Sequence, residues 1–364
     1  VTLNEPEDQG AYFSNFVDFG SNISDVQIQR GVGTSTNGVA SFGGSLNFSS
    51  VTLTDEFFDT QIGAGSFNAK RYSVSYSTGI VSNVALYFRA SKIHSDGFKY
   101  HSGTDATSLF YGAALFGQDE IWKLFGFSGN SKIGLAYAAV SLDDILNDPR
   151  TNVVSENEHD NFSQNFIQLQ YIKQFNSKLS FTNSFYYTHL NGSDPVDYGD
   201  IYNYNLMSDW SGIVSNINFT GDNFTFNGGI HANSYRRDHS MHLNNDQNVY
   251  FNSGNKNELS AFVKFGYKTD RVLYFSDIQH RTVTFKYTPE QSYGISNRNI
   301  SWEFISPRVG VTYSINDKSS AYMSLGSTGR EPTRLDMFTG ADDIDSSNVS
   351  EVGDLTRVKP EYVV

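Results

Sequence analysis

Two histidines three residues apart, His239 and His242, come nearest in this sequence to the spacing of a metal site. Such a pair can hold one ion, but no carboxylate set of a known metal-binding type accompanies it. The acidic stretches 142–161 and 342–354 could attract calcium, yet neither has the spacing and glycine of an EF-hand loop. We therefore expect solvated loops here and no metal.

A glycine-rich loop, 31–38, has the spacing of a phosphate-binding loop in Gly33 and Gly38. Val39 and Ala40 stand where lysine and serine or threonine are required, so a bound phosphate would have no positive partner. No nucleophile elbow or Ser-His-Asp arrangement can be argued from the spacing of the remaining residues. The sequence gives no positive case for an enzyme or for a cofactor.

The elements that carry these residues are long strands, because apolar and polar side chains alternate from residue 57 onward. In 178–190, for example, Leu179, Phe181 and Phe185 share one parity, and Ser180 and Thr182 the other. Most of these strands have about ten to fourteen residues, the length a tilted membrane strand needs.

Tight turns are predicted near positions 82, 129, 176, 221, 269 and 316, which recur every 45 to 48 residues. Longer polar stretches lie between them, at 92–106, 142–161, 191–203, 236–255, 288–298 and from 327 onward. Short turns that alternate with long loops are typical of an outer-membrane β-barrel. In a barrel, His189 and His231 would be candidate lumen residues, since both lie on the polar parity of their strands.

Composition agrees with such a barrel. Aromatic residues make up 15% of the chain although its mean hydropathy is only −0.41. The net charge of −13 argues against nucleic acid, and the absence of cysteine excludes disulfides and thiolate metal sites. No run of 18 apolar residues is present, so a membrane crossing would require a closed barrel. A β-propeller or soluble sandwich is the alternative, but propeller blades have shorter strands and a repeated signature.

Two segments carry a family resemblance: residues 26–48, VQIQRGVGTSTNGVASFGGSLNF, and GREPTRLDMF at 329–338 with VKPE at 358–361. The first resembles the end of the plug domain of the TonB-dependent outer-membrane receptors, and the second resembles a late barrel segment of the same family. The resemblance implies an all-β fold: a transmembrane antiparallel barrel of the 22-stranded type. About thirteen strands are present here, preceded by the C-terminal part of a plug. We expect plug residues at 1–50 and barrel residues at 51–364.

Against the family pattern, the sequence has no signal peptide, TonB box or first half of the plug, and no terminal aromatic strand. We therefore expect an internal part of a receptor. The resemblance implies active uptake of an iron chelate, cobalamin or glycan across the outer membrane. The expected partners are the TonB complex, engaged through the missing box, the ligand, outer-membrane lipid and a partner lipoprotein.

Arg30 would then lie at the end of a plug strand in a polar lumen, where it needs carboxylate partners from the wall; Glu303, Asp277 and Glu331 are candidates. Arg330, Glu331 and Arg334 are expected to join this plug–barrel ion network. Tyrosines could stack on a sugar or an aromatic chelator. The candidate ligand contacts are Tyr198, Tyr202, Tyr204, Tyr250 and His231.

The acidic loops do not favour an anionic ligand and would tolerate a cationic or neutral one. A passive porin or adhesin barrel is the principal alternative function, and a soluble propeller lectin or hydrolase is a third. The plug separates the first two, because a porin or adhesin would not hold residues 1–50 inside its barrel.

Overall fold

The computed structural model describes residues 2–32, 42–244 and 247–364. The glycine-rich loop weighed above as a phosphate site falls largely outside these ranges. Strands dominate, and three short helices interrupt them: α1 (Leu142–Asn147), α2 (Arg334–Met337) and α3 (Val349–Val352). Among the described residues, no helix is both long enough and apolar enough to cross a membrane.

A two-stranded antiparallel sheet comes first, formed by β1 (Ile23–Arg30) and β2 (Gly44–Ser50). The next thirteen strands form one antiparallel sheet in which each strand pairs with its neighbours in sequence. They are β3 (Glu56–Ala64), β4 (Lys70–Val81), β5 (Val84–Ser95), β6 (Thr104–Phe116), β7 (Glu120–Gly134), β8 (His159–Gln174), β9 (Leu179–Asp197), β10 (Ile201–Thr220), β11 (Phe224–Leu243), β12 (Asn248–Lys268), β13 (Val272–Thr288), β14 (Arg298–Asn316) and β15 (Ser319–Gly326).

The sheet confirms the prediction of an antiparallel β structure with about thirteen barrel strands. β3 and β15 are its two edges, and the described residues show no pairing between them. A third, small sheet pairs β16 (Thr328–Arg330) with β17 (Glu361–Val363).

Five of the six predicted turns lie where the sequence placed them. The turn between β4 and β5 consists of Ser82 and Asn83, both with positive φ, as a two-residue hairpin turn requires. The turn predicted at 129–130 is wrong, because β7 runs through that position and the chain turns at 117–119 instead. Gly129 marks a close packing contact in the strand: an added Cβ would lie 3.2 Å from the carbonyl oxygen of Asn15.

Two predicted loops are also much shorter than expected. Residues 191–203 and 236–255 are mainly strand, so only 198–200 separate β9 from β10, and β11 and β12 extend to Leu243 and from Asn248. Polar side chains led the prediction towards loops, but a polar residue can remain in the hydrogen-bonded ladder where it faces water or the lumen. The four strands that border these loops, β9 to β12, are consequently longer than ten to fourteen residues; β12 has 21.

The two faces of the large sheet differ in a way that is unusual for a protein in water. One face, here called the outer face, exposes apolar side chains such as Ile305 at 63%, Leu259 at 57% and Ile278 at 49%. The inner face carries buried charged residues, among them Arg89, Arg237 and Arg281. Apolar residues outside and polar residues inside are the arrangement of a transmembrane barrel wall.

Candidate functional site

The N-terminal segment, residues 2–22, lies against the inner face of the sheet. It contains two single turns of 3-10 helix, Phe13–Asn15 and Phe19–Asn22. The ring of Phe16 packs on Phe127 of β7 with ring centroids 5.8 Å apart, and Phe19 meets the same ring edge-on. These aromatic contacts form the middle of an interface that ends in ion pairs on both sides.

The first ionic contact joins the segment to β4 and β5. Asp18 lies 2.7 Å from Arg71 and 2.9 Å from Arg89, whose side chain is 5% exposed. Nearby, the Tyr87 hydroxyl donates a hydrogen bond of 3.2 Å to the Asn22 side chain. One carboxylate of the segment therefore neutralises a buried guanidinium of the wall.

The second ionic contact lies on β11, at the opposite side of the sheet, and centres on Glu7. Its carboxylate is 2% exposed and lies 2.9 Å from His239 and 3.2 Å from Arg334. Arg237 is 2.9 Å from Glu5 and 2.6 Å from Asp8. Burial alone would raise the pKa of Glu7, but Arg334, His239 and Arg237 hold it well below its usual range.

Glu331 is the centre of a third, adjoining group. Its two carboxylate oxygens lie 2.6 Å from Lys256 and 2.5 Å from Arg281, and Arg281 also contacts Glu258 at 3.2 Å. Burial opposes the charged form, but Lys256 and Arg281 together lower the pKa of Glu331 to about 2. The acid is thus ionised and fully compensated.

The inward segment, residues 331–357, connects this group with the N-terminal segment. The backbone N–H of Arg334 donates to the carbonyl of Glu7 at 3.2 Å, and the Gln9 amide donates to the carbonyl of Glu331 at 2.8 Å. Phe338, Ile344 and Leu355 pack into an apolar core with side chains of β13 and β14. The inward segment therefore contacts the wall and the N-terminal segment at once.

A chain of polar contacts continues along the inner face toward β9. The Trp210 indole donates to Asn233 at 3.2 Å, and the Tyr186 hydroxyl lies 2.8 Å from His231 Nε2. His231 Nδ1 is 3.6 Å from Glu258. A cavity of about 1180 Å³ lies between this wall, the N-terminal segment and the β1–β2 hairpin.

The structure brings together some of the residues singled out from sequence. Glu331 and Arg334 are both buried in the network, whereas Arg330 pairs with Glu361 at 2.7 Å on the small sheet. Arg30 is exposed on β1 and has no ion pair among the described residues. Of its candidate partners, Glu303 is exposed on the outer parity of β14. A lumen partner for Arg30 stays a prediction.

The ligand-contact candidates differ in exposure. Tyr198 is exposed and meets Tyr202 edge-on at 5.6 Å, while Tyr204 is half-buried. Tyr250 and His231 are buried at the inner face. His239 does not share a site with His242, since it bonds to Glu7. In the described ranges, no group of three or more histidine, aspartate or glutamate side chains could hold a metal ion.

Sequence reasoning missed most of the network. Glu5, Glu7 and Asp8 were seen only as part of a short mixed stretch, although three acids around a proline in NEPEDQG were an available signal. The sequence also indicates the basic partners, because charged residues at inner parity in otherwise alternating strands need a buried counter-charge. These residues are Arg237, Lys256 and Arg281.

Acidic side chains outnumber basic ones around Arg237, and this predicts that attachment of the N-terminal segment to the inner face depends on pH. Burial, together with Asp8 and Glu7, raises the pKa of Glu5 to about 8 despite Arg237, against an ordinary value near 4.5. The docked segment thus holds a proton that the released segment loses. The proton bound by Glu5 therefore stabilises the docked segment. This stabilisation is fully present below about pH 4.5 and is lost as the pH rises through about 8. We expect protease protection of the segment to be weaker at high pH than near pH 6.

Glu5→Gln supplies the control for this pH effect. The amide imitates the protonated acid and cannot titrate, so protection of the variant should change less with pH than that of the parent. An equal loss of protection in both proteins would assign the effect to another group.

Gly212 of β10 gives a second prediction, since a side chain there would overlap the Tyr186 ring. We expect Gly212→Val to displace Tyr186 from His231 and to cost about 1–3 kcal/mol, as overpacking of a filled interior does. The temperature at which the folded barrel unfolds on gels measures the effect. Ser211→Val, on the exposed outer parity, is the matched control, and equal shifts for both variants would contradict the prediction.

Comparison with known proteins gives no match for the sequence to any protein-family model or curated protein. Solved structures do match. The copper transporter OprC is 13% identical with a TM-score of 0.77 over 100% of this chain and 58% of its own. The ferric citrate transporter FecA, unliganded, is 13% identical with a TM-score of 0.76 over 94% and 53%. The ferric-catecholate import receptor Fiu of E. coli K12 is 12% identical with a TM-score of 0.71 over 86% and 60%.

The chain thus spans between half and two thirds of each of these three structures. Each is a transporter or an import receptor, which agrees with the exposed apolar outer face and the polar inner face of the sheet. The chain therefore has the fold of part of a TonB-dependent outer-membrane receptor.

Proposed function

We propose that this chain belongs to a receptor that takes up a scarce ligand across the outer membrane with energy from the TonB complex. Residues 1–50 would form the end of the plug domain, and residues 51–364 the first part of the barrel. The N-terminal segment would block the lumen at rest and move during import. The similar structures are a ferric citrate transporter, a ferric-catecholate import receptor and a copper transporter.

The observation that carries this proposal is the attachment of the N-terminal segment to the inner face. Asp18 contacts β4 and β5, and Glu7 contacts β11 and the inward segment, so ion pairs hold both sides. A passive porin needs a lumen that stays open, so a segment held inside it by ion pairs on both sides argues against that alternative. An import receptor needs such a segment, because a closed lumen must open only when energy is supplied.

Ion pairs suit a plug that has to be released. Buried charges cost desolvation energy that their mutual attraction returns only in the correct geometry. Once a displaced segment admits water, both partners become solvated, and the attraction between them falls steeply with the rise in dielectric constant. The contact is therefore strong at rest and weak after a small displacement.

The test is uptake by cells that express the full-length receptor, with and without the TonB complex. Radiolabelled ferric citrate, a ferric catecholate, a copper salt, cobalamin and an oligosaccharide serve as ligands. We expect saturable uptake of at least one ligand, and its loss when the complex is deleted. Uptake that continues without the complex and rises linearly with concentration would identify a passive porin.

A further inference from the structure

Four side chains of the inner face, one on each strand from β9 to β12, form a row in register. Asp194 pairs with Tyr204, Tyr204 with Met241, and Met241 with Tyr250. Directly opposed residues of adjacent antiparallel strands lie on the same face of a sheet. The row therefore presents a carboxylate and two phenol rings to the same part of the lumen.

The inward segment closes this row from the other side. The carbonyl of Asp342 accepts hydrogen bonds from Asn252 and Arg334, and the N–H of Ile344 donates to Tyr287. These contacts fix the backbone of 342–344 beside Tyr250. Asn252 lies two positions from Tyr250 on the same face of β12, so its hydrogen bond to the Asp342 carbonyl brings the backbone of Asp342 to the Tyr250 side of the lumen. The negative charge of Asp342 also acts on Tyr250 and Tyr204.

Two polar groups of this cluster have no partner among the described residues. The side chain of Tyr250 is 5% exposed, yet its hydroxyl makes no hydrogen bond with any described residue. The Asp342 carboxylate is exposed and, within the same ranges, has no ion pair. Asp343 accepts a hydrogen bond of 3.1 Å from Tyr293. The facing base, Arg334, is already paired with Glu7.

Together these groups make an acidic and aromatic surface. Burial raises the pKa of Asp343; the Tyr293 hydrogen bond opposes the shift, and Asp345 and Asp342 add to it. A positive charge would relieve this repulsion. Phenol rings also attract cations through their π faces, whereas an anion would meet the carboxylates of Asp342 and Asp343.

On the basis of the proposed function, we propose that Tyr204, Tyr250 and Asp342 form a subsite for a cationic group of the imported ligand. The rings would flank the cation, the Asp342 carboxylate would balance its charge, and the Tyr250 hydroxyl would bind a polar atom. The subsite adjoins the network of Glu7 and Arg334, because the Arg334 guanidinium donates to both the Glu7 carboxylate and the Asp342 carbonyl.

The experiment uses the purified full-length receptor and two octahedral cobalt(III) complexes of opposite charge, hexaamminecobalt and hexacyanocobaltate. Calorimetry measures the Kd of each. We expect the cation to bind at least roughly tenfold more tightly than the anion, and Asp342→Asn to weaken cation binding about threefold to tenfold. Tyr250→Phe should weaken it less, since the ring remains.

Asp317→Asn, in the turn between β14 and β15, is the matched control and should leave cation binding unchanged. Asp342 is exposed, so its amide variant is expected to fold; protease protection of the N-terminal segment verifies this. Equal affinity for the two complexes, or a Kd that Asp342→Asn does not change, would overturn the subsite. TonB-dependent uptake in cells is measured separately, so the receptor function can stand when the subsite fails.

Discussion

Glu7→Gln is expected to release the N-terminal segment from the inner face. The substitution keeps the shape of the side chain but removes the charge that faces Arg334, His239 and Arg237. Loss of one partner from a buried ionic group costs roughly 3–5 kcal/mol because the other charges stay buried. Limited proteolysis of the full-length receptor measures the result, as faster cleavage within residues 2–22.

Glu56→Gln is the matched control, since Glu56 is exposed at the start of β3. It should leave the cleavage rate unchanged. If Glu7→Gln is cleaved no faster than this control, the ion pairs do not hold the segment in place.

Arg281→Met is expected to have the second large effect. Arg281 lies between Glu258 and Glu331. Without it, among the described residues, Glu331 would keep its contact with Lys256, and Glu258 only its 3.6 Å contact with His231. We expect a loss of several kcal/mol, about 3–5 by the same reasoning. The unfolding temperature of the barrel and the protection of the inward segment both report it.

A double-mutant cycle separates charge from packing in this group. Arg281 also stacks on the Phe304 ring at 4.7 Å, and methionine retains part of that contact. Adding Glu331→Gln to Arg281→Met should recover a large part of the lost stability, since one acid and Lys256 then remain and the excess negative charge of the group is removed. If the two losses simply add, the ion pair itself contributes little.

The strands were predictable because their signals are local. Alternation with period two and turn residues such as Ser82 and Asn83 lie within a few positions of the structure they determine. The predicted number of strands was therefore right. The loops at 191–203 and 236–255 were wrong because a polar side chain in a lumen strand and one in a loop look alike in sequence.

The ion network was less predictable because its partners are far apart in sequence. Glu7 and Arg334 are separated by 327 positions, and Asp8 and Arg237 by 229. Sequence can indicate that Arg334 needs a carboxylate, but the choice among the 39 acids of the chain depends on the register of the whole sheet. Arg30 drew attention through its motif, whereas Glu7 occupies the more buried position.

A reversible cross-link tests whether the N-terminal segment moves away from the inner face during import. Cysteines at Asn15 and Gly129 would lie close, because an added Cβ at Gly129 is 3.2 Å from the Asn15 carbonyl oxygen. The chain has no other cysteine to compete. The single-cysteine variants are the controls, because a side chain at position 129 also displaces the Phe127 ring.

The measurement is uptake of the receptor's ligand by cells with the disulfide formed and then reduced. We expect the oxidised receptor to bind ligand but to import almost none, and reduction to restore import. Full import with the cross-link complete would contradict this expectation, because the segment would then stay on the inner face throughout transport.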